Sequence, residues 1–217
     1  MIKNSNNDYK SYKLYKNYIP CPEVPGNSGG YKSLAIFKQA EIIQDFTVEF
    51  TSRYIEKKSR TKDQMDQASR SSKQCIAEGY LQKSIEGRIK MLGVSRGSYE
   101  ELLNDYLDYL RQHHLLLWNK NSPEAKKVRD LVYKNYKIYN GYKNYIPSYK
   151  DYQEYLSDPE LAANAMVCLI NQTNQLLDQK LRWTEEKFIK EGGFRENLFK
   201  KRLDYRRREE EKTLRSK

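Results

Sequence analysis

Residues 60–110 read RTKDQMDQASRSSKQCIAEGYLQKSIEGRIKMLGVSRGSYEELLNDYLDYL. At helical spacing they give two apolar stripes. Met65, Ala68, Ser72, Cys75 or Ile76, and Gly79 recur at steps of three or four, and so share one face of a helix. Ile85, Ile89, Leu92, Tyr99, Leu103, Tyr106 and Leu110 form the second stripe. Between them, Ala77-Glu78-Gly79-Tyr80 reads as a corner, with Gly79 as a helix C-terminal stop. Two long helices joined by a short corner make an antiparallel hairpin. Small residues at 68, 69, 71, 72 and 77 allow another backbone to approach the first helix closely. The hairpin is half of a helical bundle.

Outward from the hairpin, the sequence predicts helices near 32–58, 61–79, 84–113 and 159–191, an all-α, antiparallel up-down four-helix bundle. In the first helix Ile36, Ala40, Ile43, Thr47, Phe50 and Tyr54 keep the apolar period, and Phe37 and Phe46 widen the stripe. Ser59 or Thr61 can cap the second helix. Within the third, Ser98-x-x-Glu101 fits a capping box that starts a new helix, or Gly97 stays helical and permits close packing. Asp158 caps the fourth helix, with Pro159 in its first turn, and Gly192-Gly193 ends it.

The remaining segments have other compositions. Residues 1–31 form a Tyr-, Pro- and Gly-rich extension, and residues 119–157 a Tyr-rich insert within the 32–191 bundle. Most of the 19 tyrosines lie in these two segments, which share the hexapeptide YKNYIP at 15–20 and 142–147. Both are expected to be irregular, with Pro123 able to open a short helix, and with tyrosine rings either buried against the bundle or free to stack on bases. Residues 192–217 form a basic C-terminal helix with a thin stripe of Leu198, Phe199, Leu203 and Leu214.

Arg60-Thr61, Asp63-Gln64, Ala68, Ser69, Ile76-Ala77-Glu78-Gly79 and Gly97-Ser98-x-Glu100-Glu101-Leu102 together resemble a four-helix-bundle family. Its members include proteins encoded in intervening sequences of large-subunit ribosomal RNA and the accessory variability determinant of diversity-generating retroelements. The resemblance runs from Gly30 to Phe194, because 164–172 and Gly192-Gly193-Phe194-Arg195 look like the suffix region of one branch. It implies a continuous third helix, a homo-oligomer with a pentamer favoured, and a reverse transcriptase as a candidate partner, but it does not decide between RNA or DNA binding and a protein scaffold. Phe37, Phe46 and Leu107 are candidates for a second apolar face through which copies would associate.

The chain carries 40 Lys and Arg against 29 Asp and Glu, a net charge of +11. From 200 to 217 there are nine basic and four acidic residues, so nearly half of the excess sits in the tail. Such an excess favours polyanions. Candidate phosphate contacts on the hairpin are Arg60, Lys62, Arg70, Lys73, Lys83, Arg88, Lys90 and Arg96, and in the tail Arg206, Arg207 and Arg208.

No catalytic constellation, cofactor motif or metal site stands out. His113 and His114 are adjacent, about 100° apart on a helix, whereas paired metal ligands want a spacing of three or four. Cys21, Cys75 and Cys168 are odd in number and widely spaced, which argues against a disulfide framework and for a cytoplasmic location. Gly29-Gly30 and Gly192-Gly193 lack the spacing and lysine of a phosphate loop. Glu78 is expected to hold the helix corner together rather than to catalyse. No membrane span or signal segment is expected. Two functions remain: a non-enzymatic, sequence-tolerant nucleic-acid-binding accessory protein, or an oligomeric scaffold for another protein.

Overall fold

Side-chain caps set the helix starts. The Ser59 hydroxyl accepts from the Thr61 amide at 3.2 Å, and Asp158 accepts from the amides of Glu160 and Leu161. Ser84 does the same for Gly87 at 3.0 Å. In this computed structural model, which describes residues 30–134 and 148–215, the helices are α1 (Ala35–Tyr54), α2 (Arg60–Leu81), α3 (Ile85–Gln112), α4 (Pro123–Lys134), α5 (Pro159–Glu191) and α6 (Phe194–Arg215). Short 3₁₀ turns occupy Gly30–Ser33, Tyr149–Asp151 and Gln153–Ser157. No strand occurs among the described residues.

α1 packs on α2 and α5, α2 on α3, and α3 on α5. Their shared core holds Ile43, Phe46, Phe50, Met65, Ile76, Leu102, Tyr106, Met166 and Leu169, all essentially inaccessible. Several buried polar groups are satisfied across the helices. The Tyr106 hydroxyl donates to Thr47 at 3.0 Å, Thr173 donates to Gln39 at 2.9 Å, and Ser95 donates to the Ser72 carbonyl at 2.9 Å. Connections of five residues between α1 and α2 and of three between α2 and α3 leave room only for a reversal of direction. Leu116 and Trp118, just past α3, donate their amides to Glu160 and Asn164 in the first turns of α5.

Four expectations need correction. Gly79 does not stop α2. The helix continues to Leu81, and Gly79 lies inside it where a Cβ would meet the Met91 Cβ at 3.3 Å. Its lack of a side chain serves the close approach of α3. Phe37 and Phe46 are not a second face, because α1 meets both α2 and α5 and so buries a wide arc; they are 5% and 0% exposed. Leu107 packs, half-buried, against the same core. Finally, the stretch 119–157 is not irregular throughout. α4 buries Ala125, Val128 and Leu131 at helical spacing and packs on α5, where Gln172 donates to the Arg129 carbonyl at 3.1 Å. α1 is also shorter than expected, ending at Tyr54 with Ile55 extended.

Gly97 stays within a continuous α3, so Ser98 starts no new helix. Tyr152 and Tyr155 bury their rings against the core. The two YKNYIP copies, most of the N-terminal extension and Cys21 lie outside the described residues.

The 148–157 segment is tied to the end of α1. Tyr54 and Arg53 both donate to the Leu156 carbonyl, at 2.6 and 3.0 Å, and the Tyr149 hydroxyl donates to Glu49. That hydrogen bond, outweighing some desolvation and aided by Arg53, holds the Glu49 carboxyl below its ordinary range, and burial with Glu49 nearby pushes Tyr149 up to about 12. A depressed carboxyl stabilises the fold above its unfolded pKa and loses that contribution as pH falls through the folded value. A raised phenol contributes fully below its unfolded pKa and loses its contribution as pH rises through about 12. Tyr149→Phe should therefore move the Glu49 titration upward in carboxyl-detected NMR and flatten the acid side of the stability profile.

Candidate nucleic-acid interface

The sequence-chosen cations do not converge. Lys62 is held by Asp66 at 2.6 Å and Thr51 at 3.3 Å, in the contact between α1 and α2. Arg96 bridges Glu100 at 2.5 Å and Asp178 of α5 at 3.1 Å. Burial works against its charge, but the two carboxylates outweigh that and raise its pKa. Lys73 is half-buried near Asp45 of α1, whose carboxyl burial holds above its ordinary range although the Lys73 charge pulls the other way. Arg60 stands exposed in the first turn of α2, Arg70 exposed ten residues along, and Lys83 and Lys90 exposed around the corner with α3. Ser95 bonded to Ser72 fixes the register of α2 on α3, so Arg60 and Lys90 lie toward opposite ends of the hairpin. Arg206, Arg207 and Arg208 are exposed on α6.

What the fold does bring together is Arg88 of α3 with the second half of α5. The Arg96–Asp178 bridge aligns these two helices, and Arg88 and Lys180 line one cavity of about 30 Å³ walled by Leu34, Ile76, Tyr80 and Leu92. This volume suits a water or two and no organic substrate. The Arg88 Nε is buried with no hydrogen-bond partner among the described residues. One turn further, the Trp183 ring is 37% exposed, with Lys180 Nζ 4.3 Å and Lys187 Nζ 5.3 Å from its centroid. Such cation–π contacts contribute about 0.5–1 kcal/mol each at exposed sites. They place two positive charges beside one partly exposed ring, and Lys187 also lies 3.9 Å from the Glu191 carboxylate. Lys180, Trp183 and Lys187 sit at steps of three and four, a helical spacing that marks them as neighbours from sequence alone. Charge counting on the hairpin passes over this signal.

The other singled-out groups have ordinary roles. His113 stacks on Tyr109 at 4.1 Å with Nδ1 2.9 Å from the Tyr109 carbonyl, and His114 takes a positive φ of 56° as the chain leaves α3. Glu78 contributes its backbone carbonyl to the corner, accepting from Gln82 at 3.1 Å, while its side chain is exposed. Burial pushes the thiols of Cys75 and Cys168 up, away from the reactive thiolate. Gly192, at φ 76°, ends α5. Among the described residues no His, Cys, Asp and Glu cluster suits a metal ion, and no helix is long and apolar enough to cross a membrane. Compared with known proteins, the chain matches no protein-family model, no curated protein and no solved structure.

Proposed function

We propose that α1, α2, α3 and α5 form an antiparallel four-helix bundle that binds nucleic acid without catalysing a reaction, through the end built by α3 and α5. The observation that carries this reading is Trp183, a half-exposed ring flanked by Lys180 and Lys187 and next to the Arg88–Lys180 cavity. An aromatic platform among cations is the elementary unit of single-strand recognition: the ring stacks on any base and the cations neutralise phosphates. A net charge of +11 supplies the long-range attraction. The exposed Arg70, Lys83 and Lys90 add to the positive surface, whereas Lys62 and Arg96 are engaged within the protein. A reverse transcriptase as partner rests on the family resemblance alone.

Binding of this kind is tolerant of sequence and sensitive to salt. Each phosphate neutralised contributes about 0.7 to the slope of log K against log salt on single strands and about 0.9 on duplex. Replacing Arg88, Lys180 and Lys187 together by glutamine should flatten the single-strand slope by roughly 2. Affinity should fall by a similar factor for unrelated RNAs and DNAs. A fluorescence-anisotropy titration over salt, with two RNAs and two DNAs of unrelated sequence, measures both. Absence of binding at low salt would direct the function to a protein partner instead.

A further inference from the structure

α6 has no buried residue along its length, although Leu198, Phe199, Leu203, Tyr205 and Leu214 are among its side chains. In its C-terminal half lies Arg206-Arg207-Arg208-Glu209-Glu210-Glu211, two charge blocks of equal length and opposite sign. Leu203, Arg207, Glu210 and Leu214 follow one another at steps of four, three and four, the alternation of a coiled-coil seam. We propose that this seam pairs with the same seam of a second copy, antiparallel, about a two-fold axis passing between Arg208 and Glu209.

One register satisfies every group on the seam. With 208 level with 209 of the other copy, Arg207 meets Glu210 and Leu203 meets Leu214 across the seam. The same contacts recur on the other side of the axis, as a two-fold pairing requires. A parallel, in-register pair would set Arg207 against Arg207 and Glu210 against Glu210 on the seam, so the seam charges favour the antiparallel direction. Within one helix the blocks compensate each other poorly. Arginine preceding glutamate by four residues is the weaker orientation of an i,i+4 pair. No ion pair among the described residues involves Arg206, Arg207 or Arg208; the one on this segment joins Lys212 to Glu209 at 2.8 Å. About this axis the described helices overlap over residues 202–215, about 21 Å, which includes the charge blocks and both leucine layers.

Charge-block exchange tests the pairing, and because α6 buries nothing in the protomer, the exchange leaves the core intact. In full-length, nuclease-treated protein at about 100 µM, sedimentation equilibrium of the unaltered chain should give twice the 25.9 kDa protomer mass. The triple variant R206E/R207E/R208E and the triple variant E209R/E210R/E211R should each lose association by at least about tenfold, because every ion pair becomes a like-charge contact. An equimolar mixture of the two should recover the doubled mass, one chain now carrying six carboxylates and the other six guanidinium groups. Leu203→Cys mixed with Leu214→Cys should cross-link faster than either variant alone. A protomer mass for the unaltered chain, unchanged association in either triple variant, or no recovery on mixing would each overturn the proposal. Loss of association on nuclease treatment would overturn it too, since it would assign the contact to bound nucleic acid. The measurement contains no nucleic-acid readout, so the proposed function can fail while this pairing stands.

Discussion

Phe50→Ala should lower the unfolding free energy by about 3–5 kcal/mol, the usual cost of a phenylalanine-sized cavity in a core that relaxes only in part. Phe50 is completely buried on α1 and forms the hub of an aromatic cluster. Its ring centroid lies 4.9 Å from Tyr106, 5.0 Å from Tyr109 and 5.4 Å from Tyr54. The edge-to-face contact with Tyr109 contributes beyond the area buried. Tyr106 is itself held by its hydrogen bond to Thr47, so it cannot swing into the vacated space without breaking a buried contact. Phe50→Leu keeps part of the volume and should cost less. Urea unfolding followed by circular dichroism at 222 nm measures both variants. A loss below about 1 kcal/mol for alanine would mean that α1 is not clamped between α2 and α5.

Asn164→Ala should cost about 2–4 kcal/mol, from one polar side chain. Asn164 is 1% exposed near the start of α5. Its amide donates to the Leu116 and Glu160 carbonyls, and its oxygen accepts from the Trp118 amide at 2.8 Å. The asparagine thus fastens the segment that leaves α3 onto the helix that α3 packs against. Alanine leaves the Trp118 amide and the Leu116 carbonyl without this partner, whereas the helical carbonyl of Glu160 is little affected. Aspartate retains the acceptor but sets a buried carboxylate against the Leu116 and Glu160 carbonyls, and should cost at least as much as alanine. Hydrogen exchange gives a specific signature: the Trp118 amide should lose protection in Asn164→Ala by more than the global change in stability.

The four long helices were legible because their signals are local. Ser59, Asp158 and Pro159 announce starts, Gly192 announces an end, and the apolar period between them survives into the observed α1, α2, α3 and α5. α4 was obscured by its surroundings. Ala125, Val128 and Leu131 make a stripe only one side chain wide, next to a tyrosine–lysine run whose composition dominates the reading. Gly79 shows a different limit: the same residue that ends helices also lets two helices touch, and only the position of Met91 distinguishes the roles. Burial of Phe37 and Phe46 likewise depends on how many neighbours α1 has.

The candidate interface was less legible, because a charge acquires or loses its function through partners distant in sequence. Arg96 counts as a free cation until Asp178, far along the chain, is placed beside it. Lys62 becomes part of a contact with Asp66 and Thr51 on the adjoining helix. Conversely, Lys180 and Lys187 gain interest from Trp183, whose half-exposure no spacing rule supplies.

Quenching of Trp183 by a homopolymeric single strand tests the proposed interface most directly. The chain has two tryptophans, so a Trp118→Phe background leaves Trp183 as the sole reporter. Titration with poly(dT) at low salt should quench its emission saturably, and added salt should reverse the effect. Trp183→Ala should weaken single-strand binding by about 1–3 kcal/mol, the contribution of one stacked base, and should change duplex binding little. Binding of the strand with unchanged Trp183 emission and undiminished affinity in Trp183→Ala would contradict the interface.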